Sequence, residues 1–265
     1  MKRNSISAMI LFSVVGLLLF SVGVTFTQDF EGVIEMVTYT TSGDMSKISN
    51  QEKNTIYFKQ NMMRVDQPQE NNTTIIRLDK ELLWDIDHDN KTYTEVSFQQ
   101  MREGLQSAQK AMREAMKNMT PEQRQMMEKM GMKMPGMPAQ KQYKLKKTGK
   151  KDKINGYHCE QYLLIKGDES ETEELWFTTD LGGFQNISKM MAKMYEGLSG
   201  GMTDGLDKLA KVQGIPVKTV ERDGDEIEVT EVTKVNRTDV NKTRFKAPAN
   251  YKKREMAEMP FGKHK

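Results

Sequence analysis

The chain has 265 residues, of which 37% are hydrophobic and 29% charged, and its formal net charge is +3. That length allows one large domain or two small ones, and the composition suits a soluble globular protein better than a membrane bundle. The charge is too balanced to suggest a nucleic-acid partner. Methionine is the compositional outlier, at 22 residues.

Lys2 and Arg3 precede an uncharged apolar run from Ala8 to Val24, which is the pattern of an export signal. Thr25-Phe26-Thr27 loosely fits a small-x-small cleavage site, so residues 1–27 read as the signal peptide. The run is also nearly long enough to cross a bilayer, which takes about 17–25 residues. An uncleaved inner-membrane anchor through residues 8–24 is therefore the alternative. Both readings put Gln28 onward outside the cytoplasm, in the periplasm, and removing the leader leaves a net charge of about +1. The single cysteine, Cys159, excludes an intramolecular disulfide and a multi-cysteine zinc site. It reads as a small buried strand residue, with His158 on the opposite face. His88, His158 and His264 are scattered and suggest no site.

The first element after the leader is a strand over 29–41, where Val33, Glu35, Val37 and Tyr39 alternate with Ile34, Met36 and Thr38. NTIYFKQNMMRVDQ (54–67) is a second strand candidate and TTIIRLD (73–79) a third. ELLWDIDHDNKTYTEV (81–96) reads as a hairpin around Asp87-His88-Asp89-Asn90. The period then changes. Phe98, Met101, Leu105, Ala108, Met112, Met116 and Met119 recur at steps of three and four, and Met101 to Met119 fall within an arc of roughly 80°. This predicts an amphipathic helix with a methionine stripe. Thr120-Pro121-Glu122-Gln123 offers an N-cap, a first-turn proline and a capping box for a second helix. Met126, Met127 and Met130 share its face, and Gly131 and Pro135-Gly136 end it. The helical insertion thus covers 98–137.

Strands resume at Tyr143 with a lysine-rich run, which reads as the solvated face of an edge hairpin. INGYHCEQYLLIKG (154–167) and ETEELWFTTD (171–180) pair as a hairpin. A helical segment over 184–211 carries Phe184, Ile187, Met190, Met191, Met194 and Leu198 on one side. GIPVKTVER (214–222) and EIEVTEVTKVNRT (226–238) flank Asp223-Gly224, a strong hairpin signal. Strand-like TRFKAP (243–248) follows, and 254–265 is a charged mobile tail. The order predicts an α+β fold: one strongly curved antiparallel sheet of about nine to eleven strands, with methionine-rich helices against its concave face.

Several segments carry a family resemblance. NTIYFKQNMMRVDQ followed by IIRLDKELLWDIDHDNKTYTEV resembles the early half of the LolA-type fold of outer-membrane lipoprotein carriers. Ile154, Gly156, Cys159 and Tyr162, then Leu175, Trp176, Thr178 and Asp180, then Phe245, Pro248 and Tyr251, resemble the motifs of an uncharacterised family of exported bacterial proteins. The resemblance spans residues 28–253 as a single LolA-like domain and implies an unclosed half-barrel with helices lying in its mouth. It also implies a non-catalytic protein without a cofactor, whose hydrophobic cleft takes a lipid or lipoprotein acyl chain, with membrane-surface contact. Arg64 corresponds to an arginine-bearing strand of the carriers and is carried over as a ligand contact.

Three readings compete for the methionines. As pliable apolar side chains, Met101, Leu105, Met112, Met116, Met126, Met130, Ile187, Met191 and Met194 would line an acyl-chain cleft together with Arg64. As thioether ligands, Met130, Met132, Met134 and Met137 would hold Cu(I) or Ag(I), which favour soft donors. As plain core, the stripes would make the chain a structural or protein-interaction module with no small ligand. Asp85, Asp87 and Asp89 read as turn and solvent-face residues. The chain has no Gly-rich phosphate loop, no GxSxG and no metal-ligand histidine spacing. The sequence therefore points away from an enzyme.

Overall fold

The computed structural model describes residues 30–42, 48–117, 120, 143–166, 171–181, 208–209, 212 and 214–255. They build one twelve-stranded sheet. The strands are β1 (Gly32–Ser42), β2 (Ile48–Lys59), β3 (Met62–Gln67), β4 (Asn72–Arg77), β5 (Leu82–Asp87), β6 (Thr92–Ser97), β7 (Tyr143–Ile154), β8 (Tyr157–Lys166), β9 (Glu171–Thr178), β10 (Ile215–Asp223), β11 (Glu226–Arg237) and β12 (Lys252–Arg254). Their spatial order is β12-β6-β5-β4-β3-β2-β1-β11-β10-β9-β8-β7. All neighbours are antiparallel except β12, which runs parallel to β6. The edges β12 and β7 do not pair with each other, so the sheet is curved and unclosed. One helix, α1 (Phe98–Lys117), follows β6 directly.

The first strands owe their regularity to spacing. From β3 to β6, six-residue strands alternate with four-residue turns. Each turn ends on a left-handed residue: Asn71, Glu81 and Lys91, with φ of 49°, 53° and 51°. An even repeat keeps every strand's inward and outward positions in phase. At the other edge, Asn155 and Gly156 both take positive φ, which closes β7 and β8 in a two-residue turn of the type that suits sheet twist. α1 opens on a capping box: Gln100 N donates to Ser97 Oγ at 3.0 Å, and Ser97 N donates to Gln100 Oε1 at 2.9 Å.

Two apolar layers form on opposite faces of the sheet. The main core contains Ile34, Ile56, Phe58, Met63 and Val65 from one half of the sheet, and Leu164, Leu175, Phe177 and Val217 from the other. The cluster runs on from β2 and β3 through Met36 and Val232 to β8 and β9, and Phe98 and Met101 of α1 pack against it, so this is the helix-bearing, inner face. On the outer face, Met62, Ile75, Trp84 and Ile86 are covered by Val240 and Phe245.

The strand count and three boundaries differ from the sequence expectation. NTIYFKQNMMRVDQ is two strands, because Gln60 adopts φ 52° and turns the chain between β2 and β3. TRFKAP is not a strand: Lys242–Phe245 form a 3-10 turn, whose Asn241 side chain accepts from Thr243 N. Arg254 belongs to β12 rather than to a tail. Of the helical insertion 98–137, α1 is described to Lys117. The second helix of that insertion, and nearly all of the 184–211 segment, lie outside the described residues.

Candidate functional site

Along β2 to β6, every second residue faces inward, and the register stacks these residues into rows across the strands. One row is apolar: Phe58, Met63, Ile76, Leu83 and Val96 lie side by side. The next begins apolar at Ile56 and Val65 and turns polar at Thr74, Asp85 and Thr94, ending at Arg254. The third is polar throughout. Asn54 is level with Gln67, which pairs with Asn72, then Asp87, then Thr92. The inner face therefore grades from apolar to polar toward one corner.

That corner is under-satisfied. Among the described residues, five buried side-chain atoms lack a hydrogen-bond partner: Asn54 Nδ2, Gln67 Nε2, Asn72 Oδ1, Thr74 Oγ1 and Thr92 Oγ1. All five lie in the two polar rows. Asn54, Gln67 and Thr74 are only 2%, 4% and 1% exposed. Leaving a buried polar group unpaired costs about 1–3 kcal/mol, so native interiors rarely collect them at one place.

Asp85 sits in the same corner. Its side chain is solvent-exposed, although the surrounding strands crowd it. Burial pushes its carboxyl above the ordinary range, against a hydrogen bond from the Asn72 side chain that lowers it. Glu52, on the same face of β2, is also raised, first by burial and then by Glu70. A carboxyl raised in the folded state stabilises fully only below its unfolded pKa, and that stability is lost as pH rises through the folded value. Asp85→Asn should therefore melt at a higher temperature than the parent near neutral pH, with the gain vanishing below the carboxylate range. A thermal-denaturation series over pH checks this, and a lower melting temperature for the variant at neutral pH contradicts it.

Above the apolar rows, Phe98 and Met101 of α1 pack against the main core. Met101 is the one predicted cleft methionine whose side chain is described. Leu105, Met112 and Met116 lie on α1, with side chains outside the described set. Met126, Met130, Ile187, Met191 and Met194 lie outside the described residues, as do Met132, Met134 and Met137 of the proposed thioether site. No cluster of three or more His, Cys, Asp or Glu suited to a metal ion occurs among the described residues.

The structure does not bring Arg64 to the inner face. Its neighbours Met63 and Val65 point inward, so Arg64 points outward. There Arg64 Nε donates to Asp66 Oδ1 at 2.7 Å, and Nη1 donates to the Arg244 carbonyl at 3.0 Å. Thr73 Oγ1 also donates to Asp66, at 2.8 Å, and so accepts from His88 Nε2 at 3.0 Å. His88 Nδ1 then accepts from the Tyr251 hydroxyl at 2.8 Å. Arg77 Nη1 donates to the Phe245 carbonyl at 3.0 Å. Arg64 thus fastens the C-terminal arm on the outer face.

The remaining motif residues also have structural roles. Cys159 is buried, its thiol donates to the Tyr157 carbonyl at 3.3 Å, and burial pushes its pKa up. His158 lies exposed on the opposite side, where Asp180 Oδ2 accepts from its backbone N at 2.8 Å. Thr178 Oγ1 donates to the His158 carbonyl at 2.8 Å.

No curated protein matches the chain. Among solved structures, it resembles an uncharacterized conserved protein from Thermus thermophilus with a TM-score of 0.44 and 9% identity, over 94% of this chain and 99% of that one. MucB in complex with MucA(peri) gives a TM-score of 0.37 at 10% identity, over 83% of this chain and 56% of that one. The Mycobacterium tuberculosis lipoprotein LppX gives 0.34 at 9% identity, over 80% and 89%. Residues 110–251, more than half of the chain, match the family described as "Domain of unknown function (DUF4412)", and the chain belongs to that family.

Proposed function

We propose that the protein is an exported, non-catalytic binder of an apolar acyl chain, held against the inner face of its open sheet. The observation that carries this reading is the apolar row of Phe58, Met63 and Ile76, buried on that face with half-buried Leu83 beside it, and Met101 of α1 packed against the same core, a cover that an acyl chain would partly replace. Shape and chemistry agree. An unclosed sheet leaves a mouth that a closed barrel lacks. A methionine-bearing cover can repack around chains of different length and unsaturation, because the thioether side chain is flexible and polarizable. The apolar residues expected between Leu105 and Met194 would extend the same cover, and the leader over residues 1–27 would deliver the chain to the periplasm.

Native mass spectrometry of the chain, purified from the periplasm without added ligand, tests the reading. A heterogeneous extra mass that is lost on denaturation and matches fatty acid or phospholipid is the expected result. The bare polypeptide mass alone would overturn it. A discrete copper or silver mass, abolished by changing Met130, Met132, Met134 and Met137 to Leu, would replace it with the thioether site.

A further inference from the structure

We infer that the polar corner of the inner face, at Asn54, Gln67, Asn72, Thr74 and Thr92, binds the uncharged, hydroxyl-rich headgroup of the lipid whose chain lies on the apolar rows. The inference rests on the acyl-binding reading above and names the class of lipid.

The argument starts from what the orphaned atoms require. Among the described residues, Asn54 Nδ2 and Gln67 Nε2 are donors without acceptors, and Asn72 Oδ1 is an acceptor without a donor. Thr74 Oγ1 and Thr92 Oγ1 can serve in either role. A ligand that satisfies the set must offer both donors and acceptors over a short span, as vicinal hydroxyls do. An ammonium group offers donors only. A phosphate or carboxylate offers acceptors, but it would meet Asp85, Asp87, Glu52 and Glu70 around the same corner, four carboxylates against the two cations Lys252 and Arg254 at the β12 end of the rows. Arg254 is itself engaged, donating to Asp87 Oδ2 at 3.0 Å. An added anion is repelled by this excess of like charge, with the repulsion moderated by solvent at the exposed Asp85. Glycerol and sugar headgroups fit the donor and acceptor pattern without that repulsion.

Placement agrees with this choice. Thr74 pairs with Val65 on one side and Asp85 on the other, so the polar corner directly adjoins the apolar rows. These residues are covered as the structure stands, so an amphiphile that displaces the cover would set its chain on Phe58, Met63 and Ile76 and its headgroup on Gln67, Asn72 and Thr74 with no gap between them. A buried hydroxyl or amide with no partner among the described residues is what a site built to read a hydroxyl looks like before the ligand arrives, and such sites reject analogues that lack the group.

The test is a competition, by native mass spectrometry on the full chain, between 1-monooleoylglycerol and methyl oleate. The two share an acyl chain and an ester and differ in the free glycerol hydroxyls. The expected result is a preference of about tenfold for monooleoylglycerol, the size that one or two added hydrogen bonds give. Thr74→Val, which keeps the side-chain shape, and Gln67→Leu should each reduce that preference while leaving methyl oleate binding unchanged. Because methyl oleate binding reports the folded cleft, a variant that fails to fold is recognised. Equal binding of the two lipids, or a preference that survives both variants, overturns the inference and leaves acyl binding intact, with ordered water as the occupant of the corner. If neither lipid binds, the acyl reading itself fails, and this inference fails with it.

Discussion

Phe245→Ala is expected to destabilise the chain by about 3–5 kcal/mol, the range for truncating a buried aromatic to alanine. Phe245 is fully buried on the outer face, against Ile75, Trp84 and Ile86. Its backbone carbonyl and that of Arg244 are the acceptors for Arg77 and Arg64. Arg244 in turn lies over the Tyr57 ring at 4.7 Å. Hydrogen bonds to charged donors are worth about 1.5–3 kcal/mol each, but only while the apolar plug keeps the arm seated. Urea denaturation followed by tryptophan fluorescence reads the loss, since Trp84 is in the same cluster. Amide exchange should rise first at Lys252, whose N–H donates to the Lys91 carbonyl at 3.0 Å where the arm joins the sheet edge. A cost below about 1 kcal/mol would mean that the outer cluster stands apart from the cooperative fold. The effect reaches the inner face as well. The same arm carries Arg254, which pairs with Thr94 and holds Asp87, so loosening Phe245 frees one end of the polar rows.

The parts of this fold that were legible in the sequence are those where alternation and turn chemistry agree. The hairpins at 81–96 and around Asp223-Gly224 stand where their apolar alternation and polar turns put them. The lysine-rich run is the edge strand β7, as an exposed, charged strand must be. Cys159 is inward and His158 outward because the strand period leaves no other choice. The failures have equally local causes. Nothing in Lys59-Gln60-Asn61 announces a turn, because the left-handed residue there is glutamine rather than glycine or asparagine. In TRFKAP, threonine, phenylalanine and alanine alternate with basic residues as in a strand, but only Phe245 is buried, and Asn241 captures Thr243 N to wind the turn. β12 has three exposed basic residues and no apolar signal at all.

The candidate site was harder to see, because a polar residue in an alternating strand reads as solvent-facing. Asp85 and Asp89 are exposed and Asp87 accepts from Asn90 in the turn, as that reading expects. Parity shows that Asn54, Gln67 and Thr74 beside them are different. Asn54 shares its face with Ile56 and Phe58, Gln67 with Met63 and Val65, and Asn72 and Thr74 with Ile76. The repeat of six-residue strands and four-residue turns carries the same parity across β3 to β6, and it was the available signal. The same arithmetic places Arg64 on the outer face. One step from two buried residues, it cannot share their face, whatever role a related strand gives an arginine.

Gly214→Ala is the second large effect, at about 2–5 kcal/mol of destabilisation. Gly214 introduces β10 with φ +97°, and an added Cβ would sit 2.1 Å from the Thr178 carbonyl oxygen. The left-handed backbone costs about 1–2 kcal/mol for an L-residue, and forced overpacking costs about 1–3 kcal/mol more. The clash cannot be relieved by a rotamer, because the obstacle is backbone. Thr178 pairs with Ile215, is 1% exposed, and is held by its bond to the His158 carbonyl. Gly104 provides the contrast. It lies within α1, and a methyl added there would meet nothing within 4 Å, on a backbone without positive φ. Gly104→Ala should therefore stabilise by up to about 1 kcal/mol through helix propensity. One substitution with opposite signs at two sites separates steric from conformational causes, and urea midpoints at a constant m-value measure both. A neutral Gly214→Ala would show that the end of β9 yields. The path from β9 into β10, where the sheet re-forms after residues 182–213, would then be set by something other than the close approach of Gly214 to Thr178.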